Sequence, residues 1–299
     1  MTTAAYAKQF ALLIRLPNSF TVISNIVAAF VIGSGGINGL ENVGFSYASL
    51  TTLILASLCF YHGGITLNDC LDINEDRRER PSRPLPSDAI SLRFAWTFSI
   101  GLMLLGLVFL WPFGSKIVAC GGLLLASIVA YNLAPRDNLF GCVLMGLCRA
   151  LNWLMVLVAL GVEAHYWHFC ALVGGYVMSL TFLSRDETHA TRKWLLYLSA
   201  TTLSLSAITF LALFYSNTPM MFLKATLFIL LLGLALHRLY RLTKAYSPAA
   251  IKDTVMFFII GMIPLDASLL LLAGYPILAG AVLLLLFPSR QLAKKLYVT

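Results

Sequence analysis

Apolar residues run along this chain in blocks too long for a soluble core and too regular for a loop-rich one. Blocks of about 18 to 24 mostly apolar residues fall near 11–33, 46–67, 91–112, 116–133, 139–162, 166–184, 194–215 and 219–237. A transmembrane helix needs about 20 such residues. The last block, about 253–288, is longer and is interrupted by Gly274-Tyr275-Pro276. It reads either as one broken helix or as two shorter ones. The pattern predicts an all-α, polytopic transmembrane helical bundle of nine or ten helices, with residues 1–299 forming a single integral membrane domain. The segments between blocks are short, except for Asn68 to Ile90, where charge is dense.

The basic residues choose between the two counts. With the N-terminus in the cytoplasm and ten spans, 18 of the 21 Lys and Arg residues fall on the cytoplasmic side. Lys116 and Lys224 fall outside and Arg149 lies within a span. Cytoplasmic loops carry an excess of Lys and Arg, so an even number of spans is favoured. A ninth and final helix would place Arg290, Lys294 and Lys295 on the wrong face. Arg15, only four residues into the first block, and the lack of a small-residue cleavage site argue against a cleavable signal. The expected location is a bacterial inner (cytoplasmic) membrane, multi-pass, with the acidic loops and the N-terminus inside.

Composition agrees. Hydrophobic residues make up 59% of the 299, charged residues 11%, and mean hydropathy is +0.84. Soluble domains carry about 25% charge, so a water-facing surface, disorder and a soluble nucleic-acid binder are excluded. The formal net charge of +8 reports orientation before it reports a partner. Six cysteines without CxxC spacing, mostly inside apolar blocks, read as small buried hydrophobes. His165 and His168 lie near an external loop without a third metal ligand.

The candidate chemistry begins at the cytoplasmic end of the second block, with Asn68-Asp69-Cys70-Leu71-Asp72-Ile73-Asn74-Glu75-Asp76. If the helix continues, Asn68, Asp72 and Asp76 recur every four residues along one face, and Asp69 shares much of it. Like charges stacked this way repel unless a cation lies among them. Mg²⁺ suits the donors, since it is a hard ion taking a few carboxylates, waters and phosphate oxygens. Arg78, Arg80 and Arg83 follow, and guanidinium groups hold phosphate in bidentate fashion. Pro81 to Pro86 stiffens the loop that presents them. A solvated mixed-charge loop is the plainer reading. Abutment on a span, helical spacing and the arginines favour the site.

NDxxDxxxD at the end of the second helix, followed by an RPSRPLP-type loop, resembles the UbiA superfamily of intramembrane aromatic prenyltransferases. Within it the chain looks most like the bacterial members encoded in ebo-type clusters. The resemblance implies a metal site of Asn68, Asp69, Asp72 and Asp76 holding Mg²⁺ on a polyprenyl diphosphate donor. It implies transfer of the prenyl group to an aromatic or other small acceptor, with release of pyrophosphate. A second motif, DxxxD, is expected after the sixth helix. Asp186 fits its first position as a catalytic and metal-binding group, but Ala190 stands four residues later, and Glu187 or His189 would have to substitute. By the same resemblance Tyr131 and Arg136 are candidates for gripping diphosphate, and Arg15, Asn18 and Asn25 for facing donor or acceptor from the first helix. Arg15 also reads as a headgroup-snorkelling residue and Arg136 as an ordinary positive-inside loop residue.

Arg149 and Asn152, three apart inside an apolar block, are expensive in a membrane and so mark an interior or wet cavity. They read as acceptor-binding groups or, with the buried acid Asp266, as a structural ion pair. The alternative for the whole chain is a catalytically altered relative taking part in export or handling of a lipid-like metabolite, which the broken second motif would favour. A CDP-alcohol phosphotransferase would need DxxDGxxAR, where Ile73-Asn74-Glu75 stand here. A secondary transporter gives no reason for carboxylates at a cytoplasmic helix end, because transport sites lie near the midplane.

Overall fold

The computed structural model describes residues 2–36, 47–135, 138–214 and 221–297. No strand occurs among them. The helices are α1 (Thr3–Leu13), α2 (Ser19–Gly33), α3 (Tyr47–Leu71), α4 (Ile73–Glu79), α5 (Leu92–Leu110), α6 (Ser115–Leu133), α7 (Phe140–Leu160), α8 (Glu163–Ser184), α9 (Trp194–Phe214), α10 (Met221–Lys244), α11 (Pro248–Leu272), α12 (Pro276–Leu283) and α13 (Leu286–Tyr297). Ten segments among the described residues are long and apolar enough to cross a membrane. The final block is two of them. Gly274, at φ 94°, turns the chain between α11 and the Pro276 that opens α12.

Consecutive helices from α5 to α12 are neighbours, and α11 packs back on α2, which also contacts α3 and α7. The ring is therefore closed through α2. The α2 and α8 spans are 72% buried and α11 61%, against 17% for the last span. These three helices are central, and the apolar faces of α5, α9 and α10, with Leu104, Val108, Leu205, Ile208 and Leu230 exposed, are left to lipid. All six cysteines are free.

The first apolar block is not one helix. Ile14 ends α1, Arg15 is left-handed at φ 47°, and Leu16–Asn18 form a 3₁₀ turn with Pro17 at its start. Proline lacks the N–H an α-helix would use here, so the chain re-enters as α2 one turn later. His62 of α3 holds the break. Its Nδ1–H donates to Ile14 O (2.9 Å) and its Nε2 accepts from the Ser19 hydroxyl (3.2 Å), the tautomer that the carbonyl partner requires. Ser289 of α13 donates to Pro17 O (3.1 Å) from the other side.

Candidate active site

The acidic motif sits where α3 hands over to α4. Asp72, with φ −84° and ψ 3°, is the joint between the two helices. Its N–H donates to Asn68 O (2.9 Å) and its carbonyl accepts from Asp76 N (2.9 Å), so the four-residue spacing survives the break. Asp69 and Asp76 are buried at 6% and 1% exposure, while Asn68 and Asp72 are half-buried. Buried carboxylates need partners, and arginines supply them. Arg15 Nη2 reaches Asp69 Oδ1 at 3.1 Å. Arg83 Nη1 lies 2.6 Å from Asp76 Oδ2 and 3.5 Å from Asp69 Oδ1, bridging both acids. Arg80 Nη1 lies 3.5 Å from Asp76 Oδ1.

The loop after α4 is placed by packing. Leu85 and Ile90 are each 2% exposed and share a small apolar cluster with Leu13, Cys70, Ile73 and Ala95. The proline-rich segment is thereby pressed under α1, and Arg83 is carried to the acids. Arg78 is exposed instead, its Nε donating to Asn74 O of its own helix (3.2 Å).

Beside the acids opens a cavity of about 160 Å³. Its polar lining comprises Arg15, Tyr61, Asn68, Tyr131, Asn132, Arg149 and Asn152, and its apolar walls include Phe60, Ile65, Leu124 and Ile128. Ser57, Tyr61, Gly64 and Asn68 form a stripe of α3 at helical spacing, which the sequence could have shown once Asn68 was known to face a site. Tyr131 stands at the mouth. Arg185, Arg15 and Asp72 all act electrostatically on its hydroxyl, and the Arg185 guanidinium lies 5.9 Å from its ring centroid. Asn18 reaches the Tyr61 hydroxyl.

Arg15, Asn18 and Asn25 do not share one helical face, because the break at Ile14–Asn18 intervenes. Arg15 and Asn18 stay near the mouth. Asn25 is fully buried behind it, where its Nδ2 donates to Asp266 Oδ1 (2.9 Å) and the Ser24 hydroxyl to Oδ2 (2.6 Å). Asp266 thus uses both oxygens on α2. Among the described residues Arg149 makes no hydrogen bond or ion pair within 4.0 Å, although Asp266 and Tyr61 act on it at longer range. Arg149 and Asn152 both face the cavity from the middle of α7.

Asp186, 0% exposed, lies away from this lining. Its Oδ1 accepts from Thr191 N (3.1 Å), and its Oδ2 from Arg192 N (2.6 Å) and the Tyr246 hydroxyl (2.7 Å). Arg192 Nε adds an ion pair at 3.7 Å. Burial pushes this carboxyl up, but the bonds from Tyr246, Arg192 N and Thr191 N, and the Arg192 charge, outweigh it and hold it below the usual carboxylate range. Tyr246, half-buried and facing that charge, is pushed up in turn. Glu187 is half-buried, with no side-chain hydrogen bond or ion pair among the described residues. Ala190 is left-handed at φ 52°. Arg136 lies outside the described residues, as do residues 37–46 of the first external loop.

The chain matches the UbiA prenyltransferase family over residues 22–261. It belongs to that family. Over 148 residues it is 31% identical to the digeranylgeranylglyceryl phosphate synthase of Sulfolobus acidocaldarius, covering 48% of this chain and 50% of that one. With the synthase of Methanococcus aeolicus it shares 37% over 101 residues, 34% of either chain. The matched stretch thus spans a third to a half of these relatives' length. A structure of a digeranylgeranylglyceryl phosphate synthase superposes with a TM-score of 0.62 at 18% identity, over 90% of this chain and 99% of that one. The apo UbiA homologue from Aeropyrum pernix K1 gives 0.62 at 15%, over 89% and 96%. The Archaeoglobus fulgidus homologue bound to DMAPP and Mg²⁺ gives 0.58 at 13%, over 85% and 97%. At such identities the fold is what is shared. With ten apolar spans among the described residues, this UbiA family member is an integral, multi-pass membrane protein.

The family's use of a divalent metal can be tested on the donors present. Asn68, Asp69, Asp72 and Asp76 are hard oxygen donors, and Asp76 Oδ1 is buried without a hydrogen bond. That set fits a hard divalent cation. Among the described residues no three His, Cys, Asp or Glu side chains converge as a ready cage, and Arg83 bridges Asp69 and Asp76. The second motif does not fit. Asp186 has spent its lone pairs on the chain itself.

Proposed function

We propose that this protein transfers a prenyl group from a polyprenyl diphosphate to a small acceptor, aromatic or otherwise, with release of pyrophosphate, using Mg²⁺ at Asn68, Asp69, Asp72 and Asp76. The observation that carries the reading is the cluster of buried acids and arginines beside a cavity walled in part by Phe60, Ile65, Leu124 and Ile128. A diphosphate fits the rim and a prenyl chain fits the walls.

When bound, the metal supplies Lewis-acid charge to the phosphate oxygens. Arg15 and Arg83 neutralise Asp69 and Asp76 before substrate arrives, and turn their remaining donors onto phosphate when it does. Tyr131, between Arg15 and Arg185, orients the bridging end of the diphosphate. Breaking the C1–O bond leaves both electrons on pyrophosphate, where the arginine cluster, with Arg136 as a further candidate from its loop, meets the gathering charge. Phe60, Ile65, Leu124 and Ile128 keep water from the allylic cation. The acceptor atom then bonds to C1 and loses its proton. Arg149 and Asn152, deep in the same cavity, are the groups we assign to holding the acceptor. An unpaired guanidinium in mid-membrane is costly unless a ligand or water meets it. Arg78 contributes to long-range attraction from α4, and Glu187 is left without a contact to donor or acceptor.

The distribution of Lys and Arg supports an orientation with this mouth and the N-terminus facing the cytoplasm, in what we propose is a bacterial inner membrane. The engaged state of Asp186 favours a second reading, a catalytically altered relative that handles a lipid-like metabolite. Binding of geranylgeranyl diphosphate in nanodiscs, with and without Mg²⁺, separates the two. Mg²⁺-dependent binding lost in Asp72→Ala supports the transferase, and turnover with a panel of acceptors completes it. Absence of binding at any prenyl chain length refutes it in favour of the second reading.

A further inference from the structure

We propose that the donor site of this protein works with one metal-binding motif, and that the guanidinium of Arg185 takes the place of a second cation against the diphosphate. This rests on the prenyl-diphosphate reading above.

Three observations converge on Arg185. The neighbouring acid is committed to the chain: Thr191 N, Arg192 N and the Tyr246 hydroxyl fill Asp186, and Ala190 offers no carboxylate four residues on. The same bonds fold the segment from Arg185 to Arg192 into a closed loop. Arg185 N donates to Thr181 O (3.3 Å), and its carbonyl accepts from the Arg192 guanidinium, so its backbone is held from both sides. The work of Asp186 is then to aim the residue before it.

The aim is toward Tyr131, which lines the cavity, while Arg185 itself is not part of that lining. The Arg185 guanidinium lies over the Tyr131 ring, beside the Cys142 side chain, and occupies a slot that exists because residue 141 is glycine. A Cβ at Gly141 would overlap Arg185 Nη2. Arg15 and Asp72 act on the same Tyr131 hydroxyl. Arg185 therefore comes to Tyr131 from α8, whereas the first motif comes to it from α3.

The test counts metal directly. Wild-type protein in nanodiscs is titrated with geranylgeranyl diphosphate in the presence of Mn²⁺, with free Mn²⁺ followed by EPR and diphosphate binding by calorimetry. One Mn²⁺ per bound diphosphate is expected, and Asp186→Asn should leave that count at one. Arg185→Gln should weaken diphosphate binding roughly tenfold or more with the count unchanged, as loss of a charge-assisted contact implies, and Arg185→Lys should recover part of it. Gly141→Ala, which displaces the guanidinium while keeping its charge, should weaken binding likewise, and serves if Arg185→Gln does not fold. Two Mn²⁺ per bound diphosphate, with the second lost in Asp186→Asn, would overturn the proposal. Unchanged affinity in folded Arg185→Gln would overturn it too. Neither result touches the donor-site reading, which falls only if the wild type shows no metal-dependent binding at all.

Discussion

Gly146→Ala should strike the site through the backbone rather than through its chemistry. Helices α7 and α8 cross where Gly146 meets Gly174. A Cβ added at Gly146 would lie 2.7 Å from Gly174 O and 2.9 Å from Met178 Cβ. A carbon and a carbonyl oxygen ordinarily stand about 3.3–3.6 Å apart, so the helices must separate by roughly 0.6–0.9 Å. The obstacle is backbone and cannot rotate away. Overpacking of this kind costs about 1–3 kcal/mol, against a helix-propensity gain of up to about 1 kcal/mol from replacing glycine. The net loss should be about 1–2 kcal/mol. Gly233→Ala isolates the gain, because a Cβ there meets nothing within 4 Å. Arg149 and Asn152 follow Gly146 by three and six residues on α7, so the displacement also shifts the polar lining of the cavity. Unfolding titrations of both variants in mixed micelles, with geranylgeranyl diphosphate binding in nanodiscs, make the comparison. If Gly146→Ala proves as stable as Gly233→Ala, the close crossing of α7 and α8 is wrong.

Other perturbations test single groups. Arg83→Met removes the charge bridging Asp69 and Asp76 and leaves a nearly inaccessible carboxylate facing only Arg80. A loss of about 2 kcal/mol is expected, below the 3–5 of a fully broken buried pair. Millimolar Mg²⁺ should restore part of the thermal midpoint, and a variant indifferent to Mg²⁺ would count against a cation site there. Tyr246→Phe deletes a hydroxyl 2.7 Å from the Asp186 carboxylate and should cost about 1–2 kcal/mol in unfolding titrations; no measurable loss would mean the loop is held otherwise. Because Asp186 is held below its ordinary value of 3.8, its contribution is full above that value and disappears as pH falls through the lower folded one. Between pH 6 and pH 3 the wild-type midpoint should therefore fall further than that of Asp186→Asn, and parallel profiles would refute the linkage. Ala190→Gly relieves a left-handed residue and should stabilise by about 1 kcal/mol, read as a higher midpoint; an unchanged one would mean that φ carries no strain.

What the sequence shows of this protein and what it hides divide along range of contact. The spans, the break at Gly274 and the first acidic motif are local, set by apolar length, a turn residue and four-residue spacing, and each can be read without knowing its neighbours. The break after Ile14 is half local. Pro17 announces that an α-helix cannot run through, yet the apolar block hides it, and the groups that hold it, His62 and Ser289, come from α3 and α13. Asp186 is not local at all. Its sequence neighbourhood resembles half of a metal motif, and what decides otherwise is Tyr246, sixty residues away, together with backbone N–H groups that no sequence pattern displays. The same holds for Arg149 and Asp266, which look like natural partners by charge until Ser24 and Asn25 occupy the acid. In both places a carboxylate is held largely by hydroxyl, amide or backbone donors, Asp186 by the Arg192 guanidinium as well, and Arg149 faces the cavity. In the proposed reaction Arg149 of α7 lies where an acceptor would rest, and Arg185, at the end of α8, stands against the Tyr131 ring where a diphosphate would leave. The helix pair that carries them meets at Gly146 and Gly174, so the spacing of the two cations is set by how closely two backbones can approach.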